Sequence, residues 1–179
     1  MTLSSRPRLT VIGGLPGTGK TTLARQAAKA WRAVYLRIDT IEQALLSSTA
    51  LHEVGPAGYA VARAQALDNL RGGLDVVADC VNPLPVTRMM WQSAAAEAGA
   101  DLIEIEVVCS DPVEHRRRIE TRIADIAGHR LPSWRDVTER DYAPWDGASL
   151  QLDTAGRTPA EALQALLAIA DDRNRFRGI

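Results

Sequence analysis

The chain has little cysteine, almost no charge imbalance and no long hydrophobic run, and each scarcity removes a class of protein. Cys80 and Cys109 are the only two cysteines among 179 residues. Each sits in an apolar stretch and lacks the C-x-x-C spacing of a zinc or redox site, so they read as buried free thiols of a reducing cytoplasm. Lys and Arg number 21 against 22 Asp and Glu, giving a net charge of −1, so no global basic field draws the chain to nucleic acid or to an anionic membrane. Residues 1–8 contain no apolar core of signal-peptide length, and no later stretch has the run a bilayer span needs. These features predict a soluble cytoplasmic protein with no membrane partner. Internal repeats, low-complexity runs and linkers are missing too, and a length of 179 residues suits one domain spanning 1–179.

What the chain does hold is one dense motif. Gly14-Leu15-Pro16-Gly17-Thr18-Gly19-Lys20-Thr21-Thr22 is a complete G-x-x-x-x-G-K-[ST] phosphate-binding loop. Glycines let the backbone curl around an anion with its N–H groups inward, Lys20 reaches the β- and γ-phosphates, and the Thr21 hydroxyl ligates Mg²⁺. Its four fixed positions arise by chance in roughly one chain in two hundred of this length. The flanks agree with the motif. Leu9-Thr10-Val11-Ile12 is a β-branched run before it, and Thr22 to Trp31 is rich in helix formers after it.

Strand-like and helix-like stretches alternate from end to end, which argues for a parallel sheet wrapped by helices. Strands are expected near 9–13, 33–38, 74–80, 103–109 and 148–152, with helices near 20–31, 40–47, 57–72, 85–98, 112–127 and 159–174. The strand at 103–109 alternates in its first half, which places it nearer an edge than the strand at 74–80 with its continuously apolar Val76-Val77-Ala78. Thr158-Pro159-Ala160-Glu161 has capping-box spacing. Residues 127–147 form an irregular excursion with Trp134, Tyr142 and Trp145 embedded in it. Those aromatics either anchor a surface segment to the core or belong to a lid over the site, and both readings can hold together.

In an open α/β sheet the ligand lies beyond the carboxyl ends of the strands, so the polar residues ending each strand are the ones to inspect. Asp39 follows the second strand and Asp79 the third. Either can orient hydrated Mg²⁺ or accept a proton from an attacking hydroxyl. The plainer reading of Asp39 is a helix cap. Asp111 before Pro112 reads as a cap only. Arg118 and Arg122 are i,i+4 neighbours on the helix after the fourth strand, suited to clamping phosphoryl oxygens, or else members of a solvated face paired with Glu114 and Glu120.

These residues carry a resemblance. The chain resembles the small kinases of the P-loop superfamily: adenylylsulfate kinases, chloramphenicol phosphotransferases, zeta-toxin kinases and the kinase domain of polynucleotide kinases. Gly14-Leu15-Pro16-Gly17-Thr18-Gly19-Lys20-Thr21-Thr22 matches their G-x-P-G-[ST]-G-K-[ST]-T opening. Asp79, Asn82, Arg88 and Trp91 resemble the D-x-N…R-x-x-W stretch of polynucleotide-kinase-like members, with two residues between Asp79 and Asn82 where one is usual. Arg118-x-x-x-Arg122 resembles their R-x-x-x-R lid helix. The segment from Leu131 to Trp145 looks like one found in bacterial kinase-like ATPases. The resemblance implies a three-layer α/β/α P-loop NTPase fold on a five-stranded parallel sheet, with a lid near 118–147. It also implies ATP and Mg²⁺ as cofactors, Asp39 as base or substrate anchor, and adenine near 153–156. No N-K-x-D motif argues for guanine. The expected activity is phosphoryl transfer to a hydroxyl of a small-molecule acceptor, with Lys20, Asp39, Arg118 and Arg122 catalytic and Thr21 with Asp79 at the metal. A nucleotide-dependent ATPase switch, or a kinase acting on nucleic-acid 5′ ends, is the alternative.

Overall fold

A computed structural model describes residues 6–48, 53–145 and 150–175. Strands β1 (Arg8–Gly13), β2 (Val34–Arg37), β3 (Val76–Asp79), β4 (Asp101–Val108) and β5 (Leu150–Asp153) form one parallel sheet in the order β2-β3-β1-β4-β5. Helices α1 (Lys20–Trp31), α2 (Ile38–Ser48), α3 (Ala57–Arg71), α4 (Pro85–Ala98), α5 (Pro112–Thr121) and the short α6 (Trp134–Thr138) lie in the connections between strands, and α7 (Pro159–Arg175) follows the last strand.

Period-two alternation divides the core between the sheet's two faces. Leu9, Val11, Val76 and Ala78 pack against α3 and α4 through Ala62, Ala66, Leu70 and Trp91. Ile12, Val77, Ile103, Ile105 and Val107 pack against α1 and α7 through Leu23, Ala27, Ala162 and Leu166. The result is the expected three-layer α/β/α arrangement on five parallel strands. Asp111 caps α5 by accepting from the Val113 and Glu114 amides, and Thr158 with Glu161 closes the capping box of α7. Both cysteines are buried and free. Among the described residues no helix is long and apolar enough to cross a membrane.

Several boundaries differ from the sequence reading, for reasons of tertiary contact. Helix α5 stops at Thr121 rather than 127, because Arg122 turns extended (φ −70, ψ 149) and Asp125 is drawn onto Arg25 and Arg37. Arg122 is therefore not one turn beyond Arg118 on a continuous helix. Helix α2 begins at Ile38, directly on the end of β2, so Asp39 lies inside its first turn instead of capping it. Strand β4 is no nearer an edge than β3, since each has one strand outside it. Its alternation reflects what covers its faces: Ile103, Ile105 and Val107 enter the core, whereas Glu104 meets Gln92 and Glu106 meets Tyr142 and Gln151. The excursion, irregular by sequence, holds the short helix α6 behind a Ser133–Asp136 capping box. Residues 148–149 of the expected fifth strand and 146–147 of the excursion lie outside the described residues.

Candidate active site

The phosphate-binding loop joins β1 to α1 and depends on backbone geometry that only glycine supplies. Gly14 has φ +142, and a Cβ there would lie 2.2 Å from the Val107 carbonyl oxygen of β4. Gly19, at φ +89, stands at the N-cap of α1 without a side-chain cap, and no acidic residue follows in the first turn. The first amides of α1 are thus left for an anion. Thr18 fastens the loop by donating its hydroxyl to the Leu15 carbonyl at 2.9 Å, and Thr154 from beyond β5 donates to the Thr18 carbonyl at 2.7 Å. Lys20 is buried, and no described carboxylate pairs with it. An unpaired buried ammonium is costly, so this arrangement fits a bound phosphate.

A cavity of about 1160 Å³ opens on the loop and takes in Pro16, Gly17, Gly19, Lys20, Thr21 and Thr22. Gly14, Leu15 and Thr18 do not line it, and Leu15 and Thr18 border a separate small cavity of about 230 Å³. The large cavity continues past Asp39 and Glu42 of α2 and Tyr59 of α3 to Thr87 of α4, and on its far side it meets the excursion. Arg118 and Arg122 line it as well, so the sequence-expected groups Lys20, Thr21, Asp39, Arg118 and Arg122 share one space.

Asp79 does not. It is buried (2% exposed) and absent from that lining. Tyr35 donates its hydroxyl to the Asp79 carboxylate at 2.7 Å, and Arg37 Nε stands 3.8 Å away. Burial and the adjacent carboxylate push the Tyr35 phenol far up, which keeps it a donor.

Arg37 is the hub of the neighbouring ion pairs. Its buried guanidinium reaches Asp125 at 2.8 Å, Asp39 at 3.5 Å and Asp79 at 3.8 Å, while Arg25 of α1 holds Asp125 at 2.6 Å. The hydrogen bond from Arg37, joined by that from Arg25, holds the Asp125 carboxyl down at about 2. Asp39 is therefore oriented by Arg37 while its side chain stays 27% exposed toward the cavity. One turn along α2, Glu42 has its carboxyl pushed up to about 6 by burial and then by Asp39. Gly58 makes room for it, since a Cβ there would lie 2.4 Å from Glu42 Cγ.

The two arginines play different parts. Arg118 donates to the Thr154 hydroxyl and carbonyl, each at 2.9 Å, and to Glu114 at 2.7 Å. Its Nη1 is 3.8 Å from where a Cβ on Gly19 would sit, so it stands fixed beside the start of α1. Arg122 Nε and Nη2 are buried without a hydrogen-bond partner among the described residues. Burial pulls the Arg122 guanidinium down, against the attraction of Asp39. Such a group is suited to an incoming anion.

The aromatics of the excursion are anchors. Arg88 of α4, itself buried, donates to the carbonyls of Asn82, Pro83, Ala143 and Pro144, and lies 4.8 Å over the Trp145 ring. Tyr142 donates to Glu106 at 2.9 Å. Trp134 meets His115 edge-on. Asn82 is fully buried at φ 52, with its backbone amide donated to the Tyr59 oxygen. Asn82 and Arg88 thus shape the wall and do not line the cavity. No sequence motif points to Glu42, Tyr59 or Asp125, whereas Thr154 falls inside the 153–156 stretch expected near adenine. Of those three, only Glu42 left a signal, its i+3 spacing from Asp39.

No group of three or more His, Cys, Asp or Glu among the described residues could hold a metal unaided. The Thr21 residue beside Lys20 lines the cavity, and its hydroxyl is a donor of the kind that Mg²⁺ takes together with substrate phosphates.

A protein-family model described as an AAA domain matches residues 9–139. The chain belongs to this family. Solved structures of kinases share the fold of this AAA-domain chain. A candidate kinase from Chloroflexus aurantiacus J-10-fl superposes with a TM-score of 0.73 at 22% identity, over 92% of this chain and 98% of the other. The APS kinase CysC of Mycobacterium tuberculosis, in complex with AMPPNP and APS, gives 0.68 at 18% identity over 93% and 99%. A gluconokinase from Sinorhizobium meliloti 1021 gives 0.65 at 18% over 98% and 99%. No curated protein sequence matches. The AAA-domain chain therefore has a P-loop kinase-like fold with the general means of binding a nucleotide.

Proposed function

We propose that the protein is an ATP-dependent phosphotransferase that moves the γ-phosphate of ATP to a hydroxyl of a small-molecule acceptor. One observation carries the reading: the cavity of about 1160 Å³ runs without interruption from Lys20 past Asp39 to the excursion. Single-ligand pockets span roughly 300–1,000 Å³, so the space suits a nucleotide and an acceptor side by side. A switch that only holds a nucleotide has no use for the second half.

In this reading ATP lays its phosphates along Gly14 to Thr22, with Lys20 on the β- and γ-phosphates. Thr21 would hold Mg²⁺, which supplies charge neutralisation at the phosphates. Asp79, buried at the carboxyl end of β3 opposite Ile12 of β1, supports that end from behind the cavity wall. Asp39 takes the proton of the acceptor hydroxyl as that oxygen bonds to the γ-phosphorus, and the bond from the γ-phosphorus to the bridging oxygen of ADP breaks. Arg118 and Arg122 stabilise the charge spreading over the transferred group.

On the acceptor side the carboxylates Asp39, Glu42, Asp136 and Glu139 stand among Arg122, Arg130 and Arg140, a mixed lining that suits a small molecule better than a polyanion such as a nucleic-acid 5′ end, which calls for a continuous basic groove. The buried free thiols fit a reducing cytoplasm. The test is a compound-library screen for stimulated ADP release, run beside Lys20→Ala. Stimulation by one compound class, absent in the variant, is the expected outcome. Steady basal hydrolysis that no compound stimulates would assign a slow ATPase switch instead.

A further inference from the structure

His115 sits on α5 in the basic stretch His115-Arg116-Arg117-Arg118, yet it is buried. Its Nε2 is 2.7 Å from the Pro16 carbonyl oxygen of the phosphate-binding loop. A carbonyl only accepts, so the proton of this bond is on Nε2. The consequence reaches through one peptide plane. In a trans peptide the carbonyl and the following N–H point in opposite directions. A Pro16 carbonyl held toward α5 therefore turns the Gly17 N–H away from α5, toward the concave side of the loop where Gly17 meets the large cavity. Pro16 has no N–H of its own, so the preceding peptide offers no donor and that of Gly17 is the first on this side of the loop. The packing is equally specific: a Cβ on Gly17 would lie 2.6 Å from Ile119 and 3.2 Å from His115 Cδ2.

The other face of the imidazole is fixed by the excursion. Trp134 lies edge-on to it, with ring centroids 5.2 Å apart and planes at 87°. Trp134 opens α6, which a reciprocal Ser133–Asp136 capping box holds in place. Asp136 and Glu139 of the same segment line the acceptor side of the cavity.

We infer that His115 is a positioning residue that aims the Gly17 amide at a nucleotide phosphate, and that Trp134 ties this aim to the acceptor-side excursion. Acceptor contacts that settle α6 thereby tighten the nucleotide site, and nucleotide binding favours the settled excursion, since such coupling is reciprocal. The inference rests on the cavity binding ATP and an acceptor, as proposed above.

The experiment measures Mg-ATP affinity by calorimetry for the full chain, His115→Leu, His115→Gln, Trp134→Leu and Lys20→Ala, with Tm recorded for each. Leu fills the space without a donor, whereas Gln still carries an N–H that can reach the carbonyl. His115→Leu is expected to weaken Mg-ATP binding about five- to tenfold, His115→Gln to recover most of it, and Trp134→Leu to give a smaller loss in the same direction. Equal losses in the Leu and Gln variants, or losses that follow Tm alone, would overturn the donor role. Unchanged affinity in Trp134→Leu would overturn the tie to the excursion even if His115→Leu fails to fold. Weak binding by Lys20→Ala with normal binding by His115→Leu would sink the inference while leaving the nucleotide site intact. If the unmodified chain binds no Mg-ATP, the proposed function falls first and this inference with it.

Discussion

In the proposed reading, the two halves of the cavity, one for the nucleotide and one for the acceptor, would recognise their ligands by different physical means. The nucleotide half, from Gly14 to Thr22, is made of backbone: left-handed glycines, free helix amides and one buried lysine. The acceptor half is made of side chains. Asp39, Glu42, Tyr59, Arg122 and the charged flank of α6 come from separate elements and meet only in three dimensions. A backbone cradle accepts one chemistry, an anion of fixed shape, and tolerates almost no change. A side-chain wall can alter its chemistry residue by residue while the cradle stays the same.

The sharpest way to break that comparison is Asp39→Asn. It should lower kcat by about 10²- to 10⁴-fold while leaving Mg-ATP affinity within about twofold, because Asp39 belongs to the acceptor half. Steady-state kinetics with calorimetry checks it; a matching loss of nucleotide affinity would mean that the halves are not separable.

Gly14→Ala tests the opposite half. A Cβ 2.2 Å from a strand carbonyl at φ +142 forces the loop to move, and roughly 3 kcal/mol of stability should go. Thermal unfolding should show a drop of about 6–12 °C. An unchanged Tm would show that the cradle is softer than its geometry.

The next effect is pH-dependent and has a definite sign. Glu42 titrates at about 6 in the fold against 4.5 ordinarily, so its contribution is full below pH 4.5 and is lost as pH rises toward 6. Over that window the wild type should lose up to about 2 kcal/mol. Glu42→Gln should lack this decline in denaturant titrations at stepped pH.

Asp125 has the reverse sign and the smallest effect. Its carboxyl sits at about 2 against 3.8, so the pairs with Arg37 and Arg25 contribute in full above pH 3.8 and fade as pH falls toward 2. Because Asp125 is 42% exposed, Asp125→Asn should cost under about 1 kcal/mol at neutral pH. The gap between variant and wild type should close on acidification.

The same contrast explains what the sequence made legible. The loop, its flanking strand and helix, both helix caps and the alternation of strands with helices depend on neighbours in the chain, and each is present as read. Asp125 meets Arg25 across 100 residues and Arg37 across 88, and no local pattern announces such pairs. Those pairs also lie beside the point where α5 ends, which is why a helical pattern running to 127 stops at Thr121. Asp79 reads as an acid near a metal because a carboxylate ending an apolar strand calls for a partner. The partners present, Tyr35 and Arg37, come from the strand beside it.

Arg88 carries a consequence of another kind. It joins 82–83 to 143–144 by donating to main-chain carbonyls alone, and every amino acid carries that acceptor. These hydrogen bonds are therefore blind to the side chains on either segment, and of the contacts Arg88 makes only those with the Trp145 and Tyr142 rings read a side chain. Excursion residues other than the anchoring Trp134, Tyr142 and Trp145 can be exchanged without touching this attachment, which makes them the natural place to redesign specificity on an unaltered phosphate-handling frame.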